Sequence, residues 1–102
     1  MYVAPTAPTE GLNGYPIDHT SIYFEWDPPP LSDQNGFIKE YVVNITERET
    51  GLTFQRFTDQ TSITVLSLHP DYVYECKVSA VTVARGPFST DFAIRVLIAG
   101  KC

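Results

Sequence analysis

Few residues in this chain are of the kind that do chemistry, and their spacing narrows what that chemistry is. Asn44-Ile45-Thr46 fits the Asn-X-Thr pattern to which an oligosaccharide is attached during secretion. His69 and Asp71 flank Pro70, and with a serine from elsewhere they would supply the parts of a hydrolytic triad. No nucleophile elbow or Gly-rich oxyanion loop accompanies them, so no catalytic residue is assigned. His19 is far from His69, and neither has a Cys or His at metal-ligand spacing, which leaves no expected metal or cofactor site. Arg85-Gly86-Pro87 reads as a turn, glycine supplying a positive φ and proline stopping the strand.

The elements that must position these residues are strands. In the run from Tyr72 to Ala80, Tyr72, Tyr74, Cys76, Val78 and Ala80 alternate with Val73, Glu75, Lys77 and Ser79, so one row faces a core and the other mostly water. Leu68 and Pro70 bracket a corner just before it. Tyr74 stands where its ring enters the core and its hydroxyl reaches upstream backbone. Ile22, Phe24 and Trp26 alternate with Tyr23 and Glu25, and Pro28-Pro29-Pro30 ends that strand because proline cannot donate to a ladder. A loop closes at Asn35-Gly36. From Phe37 the alternation resumes, with Tyr41, Val43 and Ile45 inward and Val42, Asn44 and Thr46 outward, which presents the Asn44 amide to solvent.

Glu49-Thr50-Gly51 supplies the next turn. Leu52 to Thr58 forms a short strand whose Phe54 and Phe57, three apart, face opposite sides. Ile63 and Val65 mark another strand, and Ile94, Val96 and Ile98 a last one. About seven strands with regular turn signals predict an all-β antiparallel sandwich. Trp26, Tyr41, Leu68, Tyr74 and Val78 are its expected structural core, and Glu47, Arg48, Glu49 and the other charged residues are expected on a solvated surface.

Composition agrees with a single domain: 102 residues, 43% hydrophobic, 13% aromatic, with 8 prolines. A net charge of -5 with only seven Lys and Arg, all scattered, argues against nucleic-acid binding. No apolar run reaches the roughly 20 residues of a membrane helix, so no direct membrane insertion is expected. Cys76, on an inward row, reads as a buried thiol, and Cys102 as a tail thiol. The proline-rich residues 1–8 read as a lead-in linker, 9–99 as the domain and 100–102 as a tail.

Taken in order, Pro8, Trp26 with Pro28 and Pro29, Tyr41-Val42-Val43, Leu68, Pro70, Tyr74, Val78, Ala80, Gly86 and Ser89 resemble a fibronectin type III domain over nearly the whole chain. The runs Trp26-Asp27-Pro28-Pro29-Pro30, Gln34-Asn35-Gly36-Phe37-Ile38 and Glu49-Thr50-Gly51 resemble the subgroup found in receptor-type tyrosine phosphatases and neural adhesion receptors. Thr82 departs from the family, which often has asparagine there. The resemblance implies sheets of three and four strands with Trp26 and Tyr74 in the shared core. It also implies a non-enzymatic spacer and protein-interaction module of a cell-surface or extracellular protein, monomeric, with neighbouring domains of the same chain and a protein ligand as partners. In Arg85-Gly86-Pro87, proline stands where some family members carry the aspartate of an integrin-binding turn, so integrin binding is not expected. Asn35, Gly36, Arg85 and Gly86 are the candidate interaction-loop residues. The same fold also serves as a structural repeat of intracellular muscle proteins and as an accessory domain of secreted carbohydrate-active enzymes.

Overall fold

The computed structural model describes residues 4, 5, 7–34 and 37–97, the side chains of Leu31 and Asp33 excepted. Among the described residues, seven strands lie in two antiparallel sheets. β1 (Glu10–Asp18), β2 (Ser21–Asp27) and β5 (Ser62–Val65) form one, in the order β1-β2-β5. The other runs β4-β3-β6-β7, from β3 (Glu40–Glu47), β4 (Thr53–Thr58), β6 (Val73–Val81) and β7 (Phe92–Arg95). Ile22, Phe24 and Trp26 point from β2 toward Tyr41, Val43 and Ile45 of β3 and Tyr74, Cys76, Val78 and Ala80 of β6, all buried. Leu68 and Val96 complete this layer, and the Trp26 and Tyr41 rings meet edge to face at 5.5 Å. Each fully buried large side chain contributes about 1.5 to 3 kcal/mol.

The Tyr74 hydroxyl closes one end of the sandwich. The His69 N–H donates to it at 2.8 Å, and it donates in turn to Glu47 Oε2 at 3.0 Å. Beside it the Val73 N–H donates to Glu49 Oε1 at 3.0 Å, and the Arg48 N–H to the Val73 carbonyl at 2.9 Å. Arg48 also pairs with Glu75 at 2.9 Å. Arg48 and Glu49 are exposed, as expected of surface charges, and Glu47 is half-buried; all three also brace the corner. The cause is long-range: the hairpin between β3 and β4 folds onto the start of β6.

Other departures from the strand pattern have local causes. Leu31–Gln34 makes one helical turn, α1, where the sequence reads as loop, and Gln34 Nε2 donates to the Pro29 carbonyl at 2.9 Å. Val42, Val73 and Ser79 face outward by phase yet are buried, because they lie on β3 and β6, which have a strand on both sides. Tyr72 precedes β6 and is half-buried, its ring stacked on His69 at 3.8 Å. Ile98 and Cys102 lie outside the described residues.

β1 and β5 edge the smaller sheet, and β1 is poorly suited to further pairing: it carries Pro16 and two irregularities in register, one spanning Gly11 at φ 63°. Ahead of β1 the chain is held against the other sheet. Thr9 is buried and donates to the Val78 carbonyl at 3.3 Å, and Pro5 is buried beside Gly86.

Burial pushes the Cys76 thiol from its ordinary 9.0 up to about 12, with the Asp91 charge adding to it. Burial likewise raises Tyr74 from 10.0 to about 12; the His69 hydrogen bond opposes the rise and Glu47 reinforces it. Both groups are held neutral in the folded chain, so the stability they contribute is complete below about pH 9 and is lost as pH climbs toward 12. Urea denaturation across this range should show stability falling from pH 9 upward, with a shallower fall in Cys76→Ala. Truncating Trp26 or Tyr74 to Ala should cost about 3 to 5 kcal/mol at pH 7; a midpoint equal to the parent's in Tyr74→Ala would remove the corner from its structural role.

Candidate functional site

The residues singled out for chemistry are scattered over the sandwich. His69 is exposed, with Nδ1 3.0 Å from the Pro70 carbonyl oxygen. Asp71 Oδ1 accepts from Arg95 at 3.2 Å. Each side chain is engaged elsewhere, and the two form no catalytic pair. Cys76 is fully buried, and its raised pKa keeps it a thiol at neutral pH, so it is neither a nucleophile nor a ligand as it stands. Among the described residues no three His, Cys, Asp or Glu side chains are grouped to hold a metal ion, and no helix is long and apolar enough to cross a membrane.

Asn44 lies at the centre of the outward face of the larger sheet, between Gln55 of β4 and Lys77 of β6. It is half-buried and makes no side-chain hydrogen bond to a described residue. One step along, the row Phe57, Val42, Ser79 crosses β4, β3 and β6; a step the other way lies the row Thr53, Thr46, Glu75. The two threonine hydroxyls bond each other at 2.9 Å.

A second surface lies at the end of the sandwich where β2 and β6 finish. Asn35 and Gly36 fall outside the described residues, but the loop continues into Phe37, which is 85% exposed. Phe37, Lys39, Thr82 and Val83 line a shallow, mostly apolar depression of about 140 Å³, and Val83 is 58% exposed. Alongside, Lys77 Nζ and Arg85 Cζ lie 5.0 and 4.8 Å from the centre of the Phe88 ring. Arg85 is exposed and Gly86 is buried. The sequence pattern does not mark Phe37 or Val83 as surface residues. The phase of β3 carried back to Phe37 would turn it inward, but the strand begins only at Glu40.

Gly86 corrects the reading of its turn. Its φ is not positive; the positive-φ glycines among the described residues are Gly11 and Gly51. Glycine is needed because the chain ahead of β1 passes so close: a Cβ there would lie 2.8 Å from Pro5 Cβ and 3.0 Å from the Pro5 carbonyl oxygen. The Gly86 N–H meanwhile donates to the Ala80 carbonyl at 2.9 Å, which keeps the backbone from moving aside.

A sequence model of the fibronectin type III domain matches residues 6–95. The chain belongs to that family. This fibronectin type III domain is 32% identical over 100 residues to the mouse (Mus musculus) receptor-type tyrosine-protein phosphatase F, covering 90% of this chain and 5% of that protein. It is 34% identical over 86 residues to human (Homo sapiens) Roundabout homolog 2, covering 79% of this chain and 6% of that one. The chain thus spans about a twentieth of the length of these curated relatives. Among solved structures it resembles the FN5 domain of Drosophila Lar, with a TM-score of 0.75, 24% identity, and coverage of 92% of this chain and 98% of that one. The similarity to receptor-type phosphatases and Roundabout agrees with the resemblance drawn from the sequence.

Gly86→Ala should lower stability by about 1 to 3 kcal/mol through overpacking against Pro5. Urea midpoints check this, and Pro5→Gly should reduce the cost of the Gly86 substitution. An equal cost in both backgrounds would mean that the glycine serves the loop and not the lead-in.

Proposed function

We propose that this domain is a non-catalytic spacer and protein-interaction module from the extracellular part of a cell-surface receptor. The observation that carries the reading is the path of the chain. It comes in beside Gly86, near the end where β2 and β6 finish, and runs to Leu97 at the opposite end, where the Leu97 carbonyl accepts from the Asp71 N–H at 3.3 Å. The described molecule measures 53 × 23 × 18 Å. A rigid body threaded along its long axis holds whatever precedes it away from whatever follows, which is the work of a spacer.

Catalysis has no support in the arrangement of His69, Asp71 and Cys76. Interaction falls to the loop end, where Phe37 and Val83 expose apolar surface and Arg85 adds charge; apolar anchors ringed by polar residues suit a protein ligand. The neighbouring partners are domains of the same chain, and the bulged, proline-bearing β1 favours a monomer. The Asn44-Ile45-Thr46 acceptor on an open sheet face, together with the similarity to receptor-type phosphatase and Roundabout domains, supports an extracellular location.

Secretion of the domain from eukaryotic cells behind a secretory leader, followed by intact mass with and without glycosidase, tests the location. The expected outcome is a glycan that maps to Asn44 and is lost in Asn44→Gln. An efficiently secreted chain with no mass increment would count against the extracellular reading.

A further inference from the structure

The outward face of the larger sheet carries an apolar strip whose exposed end, the Phe57 ring, the fold does not cover. Phe57 is 57% exposed, whereas its cross-strand partner Val42 and, beyond it, Ser79 of β6 are already buried. An aromatic ring presented on a flat face beside β-branched residues is a surface that gains from being covered. Asn44 is the nearest attachment point for a cover. Its partner on β4 is Gln55, so Phe57 is its diagonal neighbour, at a separation of about 7 to 8 Å. Val42 is two residues back on the same face of β3. On the far side of Asn44 the surface is polar, and the Thr46 and Thr53 hydroxyls satisfy each other. A substituent on Asn44 therefore has one apolar neighbour row and one polar row whose hydroxyls are already paired.

We propose that the first N-acetylglucosamine of a glycan on Asn44 lies on the exposed Phe57 ring at the end of this strip and makes this part of the face a covered, structural surface of the domain. The proposal rests on the extracellular reading above and deepens it by giving the glycan a seat. The sugar suits the site on chemical grounds. The pyranose ring presents a face of C–H groups to the phenyl ring, its N-acetyl methyl is apolar, and its hydroxyls stay toward water. The occupant is fixed by covalent attachment at the edge of the strip, so no separate affinity is required of it. The Asn44 side-chain amide is not committed to any hydrogen bond with a described residue, which leaves its nitrogen free to carry the linkage without breaking an existing contact.

The test compares the secreted glycoform, trimmed to a single N-acetylglucosamine by endoglycosidase, with the same chain made unglycosylated in bacteria. Each is prepared with Phe57 and with Phe57→Ser. Thermal unfolding should show the single sugar raising Tm by about 4 °C in the Phe57 background and by little or nothing in Phe57→Ser. The acetyl methyl proton resonance should move upfield when Phe57 is present, through the ring current. An equal Tm increment in both backgrounds, or an unshifted methyl resonance, overturns the seat while leaving the glycan and the extracellular reading intact. A secreted chain without any mass increment overturns both, and is distinguished at the mass measurement before any melt. A concentration-dependent Tm in the unglycosylated chain that disappears in Phe57→Ser would assign the strip to a second copy of the chain and overturn the proposal.

Discussion

One hydroxyl group sets the geometry of a whole end of this molecule. Tyr74 Oη takes the His69 N–H and gives its own proton to Glu47, joining the corner before β6 to the hairpin after β3. The segment it braces is not relaxed. Ser67 and Asp71 both sit at positive φ, 62° and 66°, a conformation that costs a non-glycine residue about 1 to 3 kcal/mol. Such a conformation persists only where the surroundings over-determine it. Here they do: the Leu68 N–H bonds the Thr20 carbonyl, the Asp71 N–H bonds that of Leu97, and Arg95 reaches both the carbonyl and the carboxylate of Asp71. The crossing from one sheet to the other is held from four sides, and the Leu68 side chain can close the core beneath it.

The limits of the sequence pattern are physical. Period-two alternation states which face a side chain is on, and the inward rows of β2, β3 and β6 and the opposed faces of Phe54 and Phe57 follow from it. It does not state what lies above that face. Val42 and Ser79 are outward and buried because their strands have neighbours on both sides, a fact of sheet order rather than of local pattern. The bracing role of Glu47 and Glu49 does not show in the local pattern because their partners, Tyr74 and Val73, lie far along the chain. Gly86 looks like a turn glycine for the same reason: the residue that demands it, Pro5, is at the opposite end of the sequence. The exposure of Phe37 does not show in the sequence because the alternation of β3 continues back past Glu40, where the strand begins.

The two surfaces differ in kind. The loop end is built on segments that leave the sheets, with exposed Phe37 and Val83 and cations stacked on Phe88, and its shape is free to vary while the sandwich stays fixed. The Asn44 face is ladder, and its side chains are positioned by backbone pairing on both sides. Membership of the fibronectin type III family accounts for the ladder and the core; it does not account for what either surface recognises, because function resides in such sites and not in the fold that carries them.

The contact of Pro5 with Gly86 and the hydrogen bond from Thr9 to Val78 have a mechanical consequence. A pull applied at the two chain termini runs along the long axis, so β1 is drawn against β2 and β7 against β6 in shear, parallel to their lengths. The ladder bonds of each pair must then yield together rather than one after another. The lead-in adds a clamp outside the smaller sheet, since Pro5 and Thr9 grip the β6 side of the larger one. Tension on the N-terminal side is thereby passed to both sheets before β1 alone can peel away.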